Sequence, residues 1–244
     1  MRKIFFIIVL IPWFNHSQGV KEIPRTNQAI ILDGDVSEEE WSGAYELTSF
    51  KQIRPNLGAE ATEKSLIKVV YDEQYLYIAG ISYYSNPSEI FATTLERDVP
   101  QIKDDFIEIH LDTYNDKSNS LIFRTNPLSA RQDFESGRNG EEFNTSWNTF
   151  WNAKSKIFEW GWSTEIQIPF SSLRFNKAPE NVMRIKAVVN YKLKNELLIS
   201  PLHNIEIGSA QYHFTNSEEV LLKNLLSSKP LYITPYVKGN ILSQ

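Results

Sequence analysis

The chain has 244 residues, 41% hydrophobic and 13% aromatic, and a formal net charge of −5. Charges of both signs are interspersed, which leaves no basic patch for nucleic acid and excludes a nucleic-acid partner. There are no cysteines, which excludes disulfides, thiolate metal sites and a lipoprotein anchor.

In chain order, Arg2 and Lys3 precede an apolar run over residues 4–14, and Ser17-Gln18-Gly19 supplies small residues at cleavage spacing. Residues 1–19 are therefore expected to be a secretory signal peptide, too short for a stable membrane span. A short strand over residues 30–32 leads to an Asp33-Gly34 turn, and Ser37 with Glu40 makes a capping box for one helical turn that folds Trp41 onto the core. Arg54-Pro55-Asn56-Leu57-Gly58 is a loop. Residues 65–81 read as a hairpin: Ile67, Val69 and Tyr71 alternate, Asp72-Glu73-Gln74 turns, and Tyr75, Tyr77 and Ala79 return on the same face.

The most informative segment is 104–126, two apolar runs around a turn rich in Asn, Asp and Ser. A turn centred near Asp116 pairs Asp112 with Ser120, His110 with Ile122 and Glu108 with Arg124. Alternation then puts Phe106, Glu108, His110 and Arg124 on one face, and Ile107, Ile109, Leu111 and Phe123 on the other. The Glu108–Arg124 pair is either a grip for a polyhydroxylated ligand or an ordinary cross-strand ion pair. Asp112, Asn115 and Asp116 gather three oxygen donors in one turn, either a structural calcium site or simply turn-forming residues.

Residues 137–144 form a Gly/Asn/Glu-rich loop, expected to be mobile. Trp147 and Trp151 lie four apart beside it, either framing a groove or packing in the core. A strand runs to Phe158, Glu159-Trp160-Gly161 turns, and Trp162, Thr164, Ile166 and Ile168 alternate up to Pro169. Residues 183–193 make another strand, 221–226 a short helix, and 231–237 a final strand. Many short alternating strands with little helix predict an all-β, jelly-roll or immunoglobulin-like β-sandwich.

Several strings resemble family 9 carbohydrate-binding modules, and more closely the divergent version that opens a group of bacterial outer-membrane proteins with an uncharacterised C-terminal β-barrel. They are Leu32-Asp33-Gly34 with Glu39 and Trp41; Ala61-Thr62-Glu63; Val70-Tyr71-Asp72 with Tyr75-Leu76-Tyr77-Ile78; Asp112-Thr113-Tyr114-Asn115-Asp116; Asn126-Pro127; Trp147 and Trp151; and Gly161-Trp162 through Ile168-Pro169-Phe170-Ser171-Ser172-Leu173-Arg174-Phe175. The resemblance implies a jelly-roll sandwich over residues 20–228, carbohydrate as partner, and a Glu and an Arg on its hydroxyls, matched by Glu108 and Arg124. The family's two clamping Trp residues have no counterparts: Gln101-Ile102-Lys103 stands at the first, and no aromatic residue stands among 200–204 at the second. Trp147 and Trp151 are the candidates for a relocated stacking platform, and calcium, common in the family, is a candidate cofactor at Asp112, Asn115 and Asp116.

Residues 229–244 resemble the lead into a membrane barrel, so the chain is expected to be a fragment or truncated version of a longer outer-membrane protein, or a freestanding periplasmic module. No nucleophile elbow, His-Glu-x-x-His helix or phosphate-cradling loop is present, and His110, His203 and His213 are too scattered for a metal site. The chain thus reads as non-enzymatic: an exported carbohydrate-binding domain of the cell envelope, periplasmic or outer-membrane associated, or alternatively an interaction domain beside a barrel, without sugar affinity.

Overall fold

A computed structural model describes residues 20–36, 39–100, 103–204 and 211–225. The expected signal peptide, the Ser37 capping residue, the strand at 231–237 and the barrel lead at 229–244 lie outside the described residues.

The described chain is a sandwich of two sheets. The larger runs β1 (Lys21–Glu22), β14 (Glu218–Lys223), β12 (Glu180–Tyr191), β6 (Phe106–Asp112), β7 (Ser120–Thr125), β8 (Arg131–Gly137) and β9 (Glu142–Asn144). At one end β13 (Glu196–Ser200) bridges β12 to β3 (Lys51–Arg54). The smaller sheet runs β10 (Asn152–Phe158), β11 (Gly161–Pro169), β5 (Tyr75–Tyr83), β4 (Ser65–Tyr71) and β2 (Tyr45–Leu47). Ile107, Ile109, Leu111 and Phe123 of the larger sheet meet Ile67, Ile78, Trp162 and Ile166 of the smaller in one buried core. Full burial of each such side chain contributes about 1.5–3 kcal/mol. The sheets approach closely at Gly80, where a Cβ would stand 2.7 Å from the Ile107 side chain.

The central hairpin has the expected register, with Glu108 opposite Arg124 and His110 opposite Ile122. The β4–β5 hairpin does not. Tyr71 pairs with Leu76 and Val69 with Ile78, so Leu76 and Ile78 join the core while Tyr77 and Ala79 face outward. The cause is the turn. The Asp72 N–H donates to the Tyr75 carbonyl, and its carboxylate accepts from the Gln74 and Tyr75 amides, leaving a two-residue loop that reverses the parity of the returning strand.

Residues 30–32 are irregular rather than a strand, but the Asp33-Gly34 turn and a 3-10 turn at Glu39–Trp41 are present. Ile30, Val36 and Trp41 cover the outer face of the smaller sheet over Val70, Tyr77 and Ile81. Glu165 fastens this cover, accepting from the Asp33 and Gly34 amides at 2.8 and 2.9 Å and from Trp41 Nε1 at 3.2 Å.

Two further expectations are corrected. Instead of a helix at 221–226, β14 runs antiparallel to β12 and parallel to β1, burying Val220 and Leu222 at strand spacing. The 137–144 loop is a 3-10 turn followed by β9, which pairs with β8 and extends the sheet edge.

Candidate functional site

The outward face of the larger sheet carries the Glu108–Arg124 pair. Arg124 Nε donates to Glu108 Oε2 at 2.7 Å, a second guanidinium nitrogen reaches the same carboxylate, and a third donates to Gln132 at 3.2 Å. The guanidinium carbon lies 4.2 Å from the Phe106 ring centre and 5.5 Å from that of Phe134. On its other oxygen, Glu108 contacts His110 Nε2 at 2.6 Å and accepts from the Gln211 amide at 3.1 Å.

This cluster is sealed. Glu108 is 0% exposed and Arg124 7%. The 211–217 segment closes over it, with the Tyr212 ring 5.6 Å from His110 and Lys186 donating to the His213 carbonyl at 3.1 Å. Against the cost of burial, the positive charge of Arg124 and the His110 contact hold the Glu108 carboxyl well below its ordinary range. Burial lowers His110 to about 4 and Lys186 to about 7, with Glu108 opposing both shifts. The pair shares a face, as the register requires, but as an ion pair with its hydrogen bonds taken up inside the protein.

The two tryptophans separate. Trp151 is 1% exposed, edge-on to Phe123 at 5.3 Å, with its Nε1 donating to Asp133 at 3.0 Å. This corrects its place in a surface platform: buried Asp133 draws the indole N–H inward, and the apolar ring follows into the core. Trp147 is half-buried and also meets Phe123 by an edge, yet it borders a groove of about 590 Å³ with Arg97, Asn148, Phe150 and Arg174.

The three residues expected at calcium have their oxygens engaged. Asp112 accepts from the Asp116 and Lys117 amides at 3.1 and 2.7 Å, and Asp116 from the Ser118 and Asn119 amides, each at 2.8 Å. Asn115 accepts from Arg184 Nε at 2.9 Å. Among the described residues no group of three or more His, Asp or Glu is arranged to hold a metal. Each of these side chains thus already accepts from N–H groups, of the turn for Asp112 and Asp116 and of Arg184 for Asn115.

A second groove, of about 730 Å³, lies at the edge where β7, β8 and β9 meet the 113–119 turn. Tyr114, 49% exposed, contributes a ring, whereas Phe143, which also borders the groove, turns its ring to Tyr212 on the outward face, 4.8 Å away. Glu135 lies on its wall, accepting from the Asn144 amide at 2.9 Å and standing 3.8 Å from Arg174. Ser120 and Ser136, opposite each other on β7 and β8, also line the groove, and their buried hydroxyls have no hydrogen-bond partner among the described residues. Sequence reasoning missed this groove because β8 is a polar strand with no clean alternation, and β9 is only three residues long.

Residues 31–200 match the family described as carbohydrate family 9 binding domain-like. The chain belongs to that family. Among solved structures, it is similar to a family 9 carbohydrate-binding module from Caldicellulosiruptor kristjanssonii in complex with cellotriose, at 19% identity and a TM-score of 0.55, covering 88% of this chain and 100% of that one. The glucose complex of such a module from the same organism gives 18% identity and 0.55, with the same coverage. A putative carbohydrate-binding protein from Bacteroides uniformis gives 12% identity and 0.58, covering 82% of this chain and 97% of that one. At these identities the likeness is one of fold. No curated protein matches the chain. In this family 9-like domain, the sandwich places the Glu108–Arg124 pair beneath its own 211–217 segment, and two accessible grooves meet at Arg174.

Proposed function

We propose that the chain is a non-catalytic carbohydrate-binding domain of an exported cell-envelope protein, acting in polysaccharide binding or uptake. The observation that carries this reading is the make-up of the β8–β9 edge groove. The exposed Tyr114 ring stands beside Glu135, Asn144 and Arg174. A sugar needs an aromatic surface for its C–H face and directional partners for its hydroxyls, and this groove offers both. Similar folds have been solved with cellotriose and with glucose, which agrees with a glycan ligand. Export rests on Arg2 and Lys3 followed by the apolar run over residues 4–14.

The test is a glycan array followed by calorimetry on the chain without residues 1–19. Binding is expected in the millimolar to micromolar range, roughly −4 to −8 kcal/mol. An absence of heat with every plant and microbial glycan tried overturns the reading. It would favour the second one, an interaction domain beside an outer-membrane barrel, which draws on the sealing of Glu108 and Arg124 by Gln211 and Tyr212.

A further inference from the structure

We infer that the two grooves act as one track holding an internal stretch of a glycan chain, rather than a single terminal sugar. The inference rests on the carbohydrate-binding reading above and names the form of its ligand. Arg174 borders both grooves, so they adjoin at this residue. The same loop serves both: Asn144 lines one, Trp147 lines the other, and the Trp147 amide donates to the Asn144 carbonyl at 3.4 Å.

Each groove has its own aromatic surface, Tyr114 in one, Trp147 and Phe150 in the other, and Phe150 is 64% exposed. Each is already the size of a small-molecule site. Rings repeated on both sides of a shared donor match a ligand whose own rings repeat. A terminal monosaccharide would leave one groove unused.

The second groove is built rather than incidental. Arg97 donates to Asp133, to Asn148 Oδ1 and to the Thr149 carbonyl at 2.7, 2.7 and 2.9 Å, and the Thr149 amide donates to Asp133 at 2.8 Å. These bonds pin the backbone that presents Trp147 and Phe150. The Thr113 hydroxyl donates to the Arg174 carbonyl, fixing the backbone from which the exposed guanidinium extends. A preset surface loses less entropy on binding a long ligand.

The experiment is calorimetry with length ladders, from one sugar to about six, of β-1,4-linked glucan, xylan, mannan and chitin oligosaccharides. The expected result is affinity rising by about tenfold or more between the disaccharide and the longest member of one ladder. Tyr114→Ala and Trp147→Ala are each expected to lower long-chain affinity about tenfold, with one of them leaving disaccharide binding unchanged, and Arg174→Ala to lower it as well. Trp147→Phe keeps the core contact with Phe123 and guards against misfolding. Affinity that levels off at one or two sugars overturns the inference, as does long-chain affinity unmoved by Trp147→Ala. Oligosaccharide binding untouched in both Tyr114→Ala and Trp147→Ala would place the ligand elsewhere, overturning the track while leaving carbohydrate binding in place. No binding by any ladder removes the carbohydrate reading and the track together.

Discussion

Glu108 and Arg124 meet on the outward face of the β6–β7 hairpin, Nε to Oε2 at 2.7 Å, in a pocket that Gln211 and Tyr212 close to solvent. Two opposite charges are thus held where neither can be solvated, so each depends on the other.

That dependence has a measurable consequence. Arg124→Ala leaves a buried carboxylate with only His110 and Gln211, and is expected to cost about 3–5 kcal/mol in urea unfolding. The double variant Glu108→Leu, Arg124→Met is expected to cost clearly less than the sum of the single changes, with a coupling energy of about 1–3 kcal/mol. Additive single-variant costs would show that the pair is not coupled.

Stability should rise with pH in two windows. Burial lowers Lys186 from 10.5 to about 7, so between those values the unfolded chain binds a proton that the folded chain does not. Stability from this amine is fullest above the unfolded value and is lost as pH falls towards 7. His110, lowered from 6.5 to about 4, adds a second loss of the same sign over that lower window. Lys186→Met is expected to flatten the rise between about pH 7 and 9 while leaving the acid limb, read as denaturation midpoints across pH. An unchanged alkaline slope in that variant would refute the assignment.

Gly161 carries a steric constraint. Its φ is +143°, and a Cβ there would lie 2.1 Å from the Ser82 carbonyl oxygen. The neighbouring Trp160 indole stacks on Phe158 at 4.7 Å and lies 5.2 Å from Tyr83, drawing the turn tightly onto β5. Gly161→Ala is expected to destabilise the fold by about 1–3 kcal/mol or more and to perturb the Trp160 fluorescence environment. A melting temperature equal to the parent's would contradict this.

Calcium is expected to leave thermal stability unchanged, because Asp112 and Asp116 already face N–H donors and Arg184 stands on Asn115. A concentration-dependent rise in melting temperature, absent in Asp112→Asn, would reverse that expectation.

The sequence by itself determined the local part of this protein. The Asp112–Asn119 turn between the two apolar runs fixed the face shared by Glu108 and Arg124, because a hairpin's register depends only on its own turn and a period of two. The same period marked Trp162, Ile166 and Ile168 as core, where they lie.

The tertiary structure decided what no local pattern encodes. A one-residue difference in the Asp72 turn reversed the faces of β5. Residues 221–223 were drawn into β14 by pairing with distant β12 and β1, since long-range ladder partners override weak local propensity. Whether Glu108 and Arg124 meet solvent depended on Gln211, about a hundred positions along the chain. Trp151 and Trp147 carry the same side chain four residues apart, and only the position of Asp133 on the neighbouring strand sent one into the core and left the other on a groove.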